Sequence, residues 1–503
     1  MFLHIFELAC SPSSAAAIAF TVALTHVCRH WRDMLLSYPK IWTNIFARRD
    51  TVDFFSECLL RSRTLPVHLN FHYHVERDSP GDCSCEDHFS LVSYSVRCPH
   101  IRARKTAELF GYGGPRKRLQ SLDLLLFFPN PITSSTPGFG EVKDINFFHH
   151  PLPELESLRL VCLDATQSCE EFFIHDDIFS KSLPKLKRLS LVHCWGGLTG
   201  WIVGLTSFHL EFRYSWDIQS GEFVAFLESN HGTLETLSLD NIEFSDWSGE
   251  PVNLANLKEL KLKRITDPAN LFPHFLLSRF EDLTTLRVRF SDGVATFSAT
   301  NASGAVLQVV ESQEDVFSCC TNGLALSWWT QISTLDLDLH GSREVSDLDI
   351  EDFYHSIPSL KTMEIRTVSH LREIFHPLIL AKRVLHPSLK LLRLPVPREV
   401  QDAVFTALTT ISHERKAVGC TMWSIECICD GSCEESSNQW AIYCKRDDFD
   451  DPGIVKFVKD PGFLGRQRKV SVRHPTGTVP VSEVNISKAS CAPSYFTLSD
   501  TAV

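Results

Sequence analysis

Apolar residues recur along this chain in the spacing L-x-x-L-x-L, and Leu186-x-x-Leu189-x-Leu191 is a clear copy of it. Alternating apolar residues make each L-x-L a short strand with one buried face, and the leading residue packs at the turn into that strand. One unit cannot bury its own apolar face, so we expect the copies to stack through a parallel ladder of strands. The other copies begin at Leu119, Leu155, Leu205, Leu234, Leu257, Leu283, Ile332, Leu360, Leu389 and, more weakly, Met422.

The step from one copy to the next varies from 19 to 49 residues. This irregularity indicates a degenerate repeat array, in which loops and helices of different length connect the strands. The array resembles leucine-rich repeats. It predicts an α/β fold, a leucine-rich-repeat solenoid over residues 118–445 with parallel strands on the concave side and helices and loops on the convex side. The alternative is chance periodicity in an ordinary α/β protein.

Three segments between the copies carry signals of their own. Glu222 to Ser229 and Glu399 to Ile411 have apolar residues at helical spacing, so we expect helices on the convex side. Within the longest step, alternating runs from Val294 to Ala299 and from Ala305 to Val310 flank Thr300-Asn-Ala-Ser-Gly304. That arrangement predicts a β-hairpin.

The first fifty residues show a helical pattern. Pro12-Ser13-Ser14 favours a helix start, and Pro39 ends the pattern. A second apolar cluster follows at Ile41, Trp42, Ile45 and Phe46, which gives this region more apolar surface than so short a segment can bury alone. Such a surface usually meets a partner. The helical face is formed by Phe20, Leu24, Val27, Cys28, Trp31 and Leu35.

Three stretches in this region resemble the F-box motif, in the version found in many fungal F-box proteins. They are Phe2-Leu-His-Ile-Phe-Glu-Leu8, Val27-Cys-Arg-His-Trp-Arg-Asp33 and Tyr38-Pro-Lys-Ile-Trp42. The resemblance covers about the first 46 residues and implies a small all-helical unit over residues 1–46. The family pattern normally opens with a Leu-Pro-x-Glu segment, so we expect either a first helix truncated at Met1 or a degenerate motif.

In the F-box family the helices bind the Skp-type adaptor of a cullin-RING ubiquitin ligase, and downstream repeats hold the substrate. The resemblance therefore implies that this chain is the substrate-recognition subunit of an SCF-type ligase. Alternatives are a leucine-rich-repeat scaffold that never meets a ligase, with Trp31 and Trp42 only core aromatics of a small helical cap, and, more weakly, an enzyme assembled from distant residues. The adaptor-facing residues that we expect are Leu3, Ile5, Phe6, Val27, Trp31, Ile41 and Trp42.

Charge and cysteine content narrow the class of partner. Forty-nine Lys and Arg against 61 Asp and Glu give a net charge of −12, which disfavours non-specific binding to nucleic acid or to an anionic membrane. The N-terminus fits neither a signal peptide nor a membrane span. The 17 cysteines are therefore expected to be reduced, in the cytoplasm or the nucleus.

We expect no metal, no cofactor and no catalytic activity. No nucleophile elbow, phosphate-binding loop, dinucleotide fingerprint or H-E-x-x-H sequence occurs. Two groups of possible metal ligands lack the paired spacing of structural zinc sites, so we interpret them as free thiols and ordinary histidines. The first group is His72, His74, Cys83, Cys85 and His88, and the second is Cys427, Cys429, Cys433 and Cys444.

The target is expected to bind the concave strand face, where the residues between the repeat leucines point. Lys261, Lys263, Arg287 and Arg289 fall there on two consecutive repeats, so they predict one basic patch for an acidic or phosphorylated target segment. The alternative is an ordinary solvated strand face. Residues 47–117 are expected to form a linker and irregular lead-in, and residues 446–503 a largely disordered tail.

Overall fold

The computed structural model describes most of the repeat region and the helices that precede it. Several predictions fall outside this part of the chain, namely those on Leu3, Ile5, Phe6, Cys83, Cys85, His88, Met422, Cys433 and Cys444. The described residues are 15–48, 52–74, 116–128, 150–164, 172–173, 178–196, 201–218, 220–244, 250–265, 271–291, 294–312, 329–339, 347–367, 374, 386, 388–396, 401–417, 424–429 and 455–459.

The N-terminal segment forms two helices where the sequence predicts one. Helix α1 spans Ala15–Thr25 and α2 spans Arg29–Ser37. The chain turns between them, and Cys28 caps α2 because its Sγ accepts a hydrogen bond from the Trp31 backbone N–H at 3.4 Å.

A strand follows these helices directly. After a 3-10 turn at Pro39–Trp42, β1 spans Asn44–Arg48 and pairs with the next strand of a large sheet. Helix α3, Val52–Arg61, comes next. The expected all-helical unit over residues 1–46 is therefore not what the structure has, since its last residues belong to the sheet.

One large, mostly parallel sheet dominates the described residues. It contains sixteen strands in the spatial order β1-β2-β3-β4-β6-β8-β9-β11-β15-β14-β13-β16-β17-β18-β19-β20. Only β14 runs antiparallel to its two neighbours. After β1, the strands are β2 (Val67–His74), β3 (Leu119–Phe128), β4 (Ser157–Asp164), β6 (Arg188–Val192), β8 (Ser207–Asp217), β9 (Thr236–Glu243), β11 (Glu259–Lys263), β13 (Thr285–Ser291), β14 (Val294–Thr300), β15 (Val306–Ser312), β16 (Thr334–Asp338), β17 (Thr362–Ile365), β18 (Leu391–Pro395), β19 (Ser424–Cys429) and β20 (Val455–Lys459).

The repeat leucines form the core face of this sheet, as their spacing predicts. Every described member of the L-x-x-L-x-L copies is buried. The copies also pair in register, so that Leu189 lies opposite Leu158 on one side and Phe208 on the other. An α/β fold with in-register parallel strands is thus confirmed.

The sheet extends past both expected limits of the repeat region. Strands β1 and β2 precede residue 118, and β20 follows residue 445. The expected irregular lead-in therefore contains α3 and β2. Of the expected tail, residues 455–459 form a strand, and the remainder lies outside the described residues.

The predicted hairpin is confirmed, but its place in the sheet was not foreseen. Strands β14 and β15 pair antiparallel, and β13 pairs antiparallel with β14. Strand β15 then lies beside β11, and β16 lies beside β13. Two strands consequently separate β11 from β13, although these strands carry consecutive repeat copies.

Helices cover the core face at several points. Helix α4 (Ser220–Asn230) buries Phe223, Phe226 and Leu227, and α6 (Gln401–Ala417) buries Val404, Phe405 and Leu408, so both predicted helices are confirmed. Helix α5 is Asp347–Ser356. The Phe208 and Phe226 rings lie 4.6 Å apart, which joins a strand of the sheet to α4.

Short elements complete the described structure. None of the helices in the described part of the chain has the length and apolarity that a membrane span requires. The two-residue strands pair as β5 (Phe172–Phe173) with β7 (Cys194–Trp195) and as β10 (Val252–Asn253) with β12 (Phe275–Leu276). Further 3-10 turns span Ile178–Lys181, Phe272–His274, Ser278–Phe280 and Trp329–Gln331.

Candidate binding face

The face of the sheet opposite the buried leucines, here called the polar face, carries one side chain in register from strand to strand. Strand side chains alternate, so the residue between two buried leucines points away from the core. From β2 to β19 this central row consists of Asn70, Asp123, Arg159, Ser190, His209, Ser238, Lys261, Gln308, Ser298, Arg287, Asp336, Glu364, Arg393 and Glu426.

Ion pairs connect the last five strands of this row into a charge ladder. Asp336 on β16 accepts from Arg287 Nε at 2.7 Å and from Arg366 Nε at 2.6 Å. Arg366 also lies 2.8 Å from Glu364. The ladder then continues to β19. Arg393 on β18 lies 3.9 Å from Glu364 and 2.7 Å from Glu426.

The chemistry of the charge ladder is that of a neutral, internally paired surface. It holds Arg287, Arg366 and Arg393 against Asp336, Glu364 and Glu426, so its formal charges cancel. Desolvation alone would lower the pKa of Arg366, but the hydrogen bond from Arg366 to Asp336 and the nearby carboxylates outweigh it and raise that pKa. Asp336 is almost fully buried, so it depends on both arginines for compensation.

A second cluster lies beside the end of β11, on the neighbouring strands β8 and β9. Asp240 is buried, and Arg264 lies 2.6 Å from it while Lys263 lies 3.8 Å away. Burial raises the pKa of the Asp240 carboxyl, against the opposing effect of Arg264. Arg264 adopts a left-handed backbone conformation (φ 50°) directly after β11. That turn directs its guanidinium back toward Asp240.

Histidines border this cluster. His209 Nε2 lies 3.2 Å from Glu211 Oε2, and the hydrogen bond lowers the pKa of Glu211. His193 follows β6 with φ 59°. Burial lowers the pKa of His193, so its neutral form is favoured.

The amino-terminal strands carry one more pair. Arg159 on β4 lies 3.2 Å from Asp123 on β3, and Asn70 on β2 donates to the same carboxylate at 3.3 Å. Desolvation raises the pKa of Asp123, partly offset by Arg159. On the described polar face, carboxylates therefore pair with arginine, lysine and amide groups, and neither sign of charge dominates.

The prediction of a single basic patch is wrong. Lys261 and Lys263 lie on β11, Arg287 and Arg289 lie on β13, and β15 and β14 stand between them. Three strand spacings of about 4.8 Å separate the two pairs. Three of the cations also have partners, since Lys261 lies 2.7 Å from Glu259, Lys263 lies near Asp240 and Arg287 binds Asp336.

The expected adaptor-facing residues fall into two classes. Val27 is 59% exposed and Trp31 is half-buried, so both reach the surface. Ile41 and Trp42 are buried, and Trp42 Nε1 donates to the Leu35 carbonyl at 2.9 Å while the Arg61 guanidinium lies 4.6 Å from its ring centre. The assignment of Ile41 and Trp42 to an exposed surface is therefore wrong, because α3 covers the side from which they would be reached.

The structure describes part of each histidine and cysteine group. His72 lies on β2 beside the Phe46 ring, at a centroid distance of 4.6 Å, and Cys427 is a buried free thiol on β19. Across the described ranges, no three His, Cys, Asp or Glu side chains are placed to hold a metal ion.

Sequence reasoning missed the continuity of the charge ladder. Arg366 and Glu364 were visible as intervening residues of one repeat, and Arg393 and Glu426 occupy the same offset in the next two copies. Listing the residues at the same position of every repeat copy would have identified these charged residues. Comparison with known proteins adds no family, because neither a scan against protein-family models nor a search of curated proteins finds a match.

Proposed function

We propose that this protein is an F-box protein with leucine-rich repeats, the substrate-recognition subunit of an SCF-type cullin-RING ubiquitin ligase. The observation that carries the proposal is one of order along the chain. The F-box-like stretches at Val27–Asp33 and Tyr38–Trp42 stand directly before a long series of L-x-x-L-x-L strands. In this proposal the sheet is the concave layer of a solenoid, and the chain carries no catalytic step.

The surface of the two N-terminal helices supports a partner at that end. Phe20 on α1, Val27 between the helices and Leu36 on α2 are 44%, 59% and 37% exposed. Large apolar side chains that stay exposed are typical of interaction sites. The proposed adaptor surface is therefore Val27 and Trp31 with Phe20 and Leu36, and Ile41 and Trp42 support it from the core.

The polar face supports a protein target. It spans sixteen strands and presents paired charges instead of a uniform field, which suits selective recognition of a protein surface. A ligase that holds its target there raises the effective concentration of target lysines near the conjugating enzyme. The alternative function, a repeat scaffold outside any ligase, needs the same face but no adaptor.

Binding to purified Skp-type adaptor tests the proposal. The wild-type chain should retain the adaptor in a pull-down, and a Val27→Glu/Leu36→Glu variant should lose it because charges replace buried apolar contacts. Leu60→Glu is the matched control, since Leu60 is 71% exposed on α3. A wild-type chain that folds but fails to retain the adaptor would favour the scaffold.

A further inference from the structure

The antiparallel insertion creates a distinct region of the polar face between β11 and β13. We call it the trough: the outward surface of β15 and β14, bordered by the cations of β11 on one side and of β13 on the other. The two borders are three strand spacings apart, or about 14 Å. Lys261 is in register with Arg287 through Gln308 and Ser298, so these two cations lie at the same position along the strand direction.

The floor of the trough is small and uncharged. Its described side chains are half-buried, except Val294 at one end, which is 40% exposed, so they remain accessible from the polar face. None of them carries a charge that could neutralise a ligand. The floor includes Val294, Thr296, Ser298 and Thr300 from β14 and Val306, Gln308 and Val310 from β15.

Each border carries two cations, the β11 border also carries Glu259, and the other carboxylate partners lie off the floor. Lys263 approaches Asp240 on β9, and Arg287 binds Asp336 on β16, in each case away from the trough. Lys261 is paired with Glu259 of its own strand. The side chains of Lys263 and Arg287 are 40% and 45% exposed, and Arg287 uses Nε for its contact with Asp336. The other guanidinium N–H groups of Arg287 can donate to a ligand while Nε keeps its contact with the buried Asp336.

The spacing along each border matches the repeat of an extended peptide. Lys261 and Lys263 are two residues apart on β11, and Arg287 and Arg289 are two residues apart on β13. A peptide laid parallel to the strands presents alternate side chains to opposite sides with the same two-residue period. Consecutive acidic residues would therefore meet cations on both borders in turn.

We propose that the trough binds an extended segment of about four consecutive Asp or Glu residues in a partner protein. The proposal deepens the proposed function, on which it rests, by giving the chemistry of the target. Each border carries cations at two positions along its strand, an arrangement that a run of carboxylates matches better than one phosphorylated residue.

Fluorescence anisotropy with the full chain tests this site. The labelled probes are a peptide with four consecutive glutamates, its glutamine counterpart, and a peptide with one phosphoserine among neutral residues. The protein variants are Lys261→Gln/Lys263→Gln and Arg287→Gln/Arg289→Gln. The matched control is Lys361→Gln/Lys390→Gln, because both lysines are exposed and stand in the turns before β17 and β18.

The glutamate peptide should bind, and its affinity should fall as salt rises from about 0.05 M to about 0.5 M. Each border variant should lose about tenfold in affinity, and the control should stay within about twofold. If the Arg287→Gln/Arg289→Gln variant does not fold, the Lys261→Gln/Lys263→Gln variant alone tests the proposal. Equal binding of the glutamine or phosphoserine peptide, or border variants that bind like wild type, would overturn the proposal. Adaptor retention by the same samples shows separately whether the ligase function holds.

Discussion

Arg287 on β13 and Arg366, which directly follows β17, both bind the one buried carboxylate of Asp336 on β16, at 2.7 and 2.6 Å. A buried carboxylate needs such compensation because desolvation disfavours its charge. Asp336 therefore links β16 to β13 and to the end of β17. Its removal would leave two guanidinium groups without their common acceptor.

Asp336→Asn should therefore lower the free energy of unfolding by about 2 kcal/mol, at the modest end for charged hydrogen bonds because both arginines are partly exposed. Urea titration measures the change. Asp338→Asn, two residues along the same strand and half-exposed, is the control and should change stability by less than about 0.5 kcal/mol. Equal losses of stability in Asp336→Asn and Asp338→Asn would contradict the role of Asp336 as the link between these strands.

Trp42 should act as a core residue. Trp42→Ala removes a buried ring and its hydrogen bond to the Leu35 carbonyl, so we expect a loss of about 3–5 kcal/mol. Val27→Ala should alter stability by less than about 0.5 kcal/mol, since Val27 is exposed. Thermal unfolding of both variants checks the expectation. A destabilising Val27→Ala with a neutral Trp42→Ala would reverse the assignment of core and surface.

Which parts of the fold the sequence could predict depends on how local the signal is. Burial of Leu186, Leu189 and Leu191 follows from alternation within a few residues. The β14–β15 hairpin has an equally local cause, because the Asn301 side-chain oxygen accepts from the Ala305 backbone N–H at 2.8 Å and closes the turn. The docking of that hairpin beside β11 is set by pairing partners far apart in sequence, which no local pattern encodes.

The candidate surface was predictable to the same extent. The alternation placed Lys261 and Arg287 correctly on the polar face, but their separation depended on the order of strands. For Trp42 the local sequence did not distinguish core from surface, because an aromatic residue after a helix suits either a core or an interface. The Arg61 guanidinium that covers the Trp42 ring belongs to α3, which comes later in the chain, so the residues around Trp42 do not reveal this contact.

Acid should destabilise the fold partly through His193. Burial lowers the pKa of this imidazole from its ordinary value of 6.5, with Arg213 and Arg264 acting in the same direction and Glu211 and Asp240 opposing. Below about pH 6.5 the unfolded chain then binds more protons than the folded chain, so stability falls as pH is lowered. Above that pH the contribution is fully present.

His193→Asn should reduce this pH dependence, because Asn is uncharged and tolerates the left-handed backbone (φ 59°) at this position. Chemical unfolding at a series of pH values measures the slope. His231→Asn, at an exposed position after α4, should leave the slope unchanged. An unaltered slope in His193→Asn would show that His193 does not contribute.

Thiol reactivity should follow burial. Among the described cysteines Cys28 is exposed, whereas Cys58, Cys162, Cys194 and Cys427 are buried. Burial raises the pKa of Cys58 to about 12, so little thiolate is present at neutral pH. Of these five thiols in the native protein, an alkylating agent should modify Cys28 first, without prior reduction, as mass spectrometry can follow. Rapid labelling of Cys58, or stoichiometric zinc in elemental analysis, would contradict this.

Affinity purification from cells with mass spectrometry tests the central claim most directly. A tagged wild-type chain and the Leu60→Glu control should each recover a Skp-type adaptor, a cullin and at least one shared target protein. The Val27→Glu/Leu36→Glu variant should recover the target without the adaptor, since the exposed apolar surface of α1 and α2 is changed and the polar face is not. A wild-type preparation that contains targets but neither adaptor nor cullin would contradict the account.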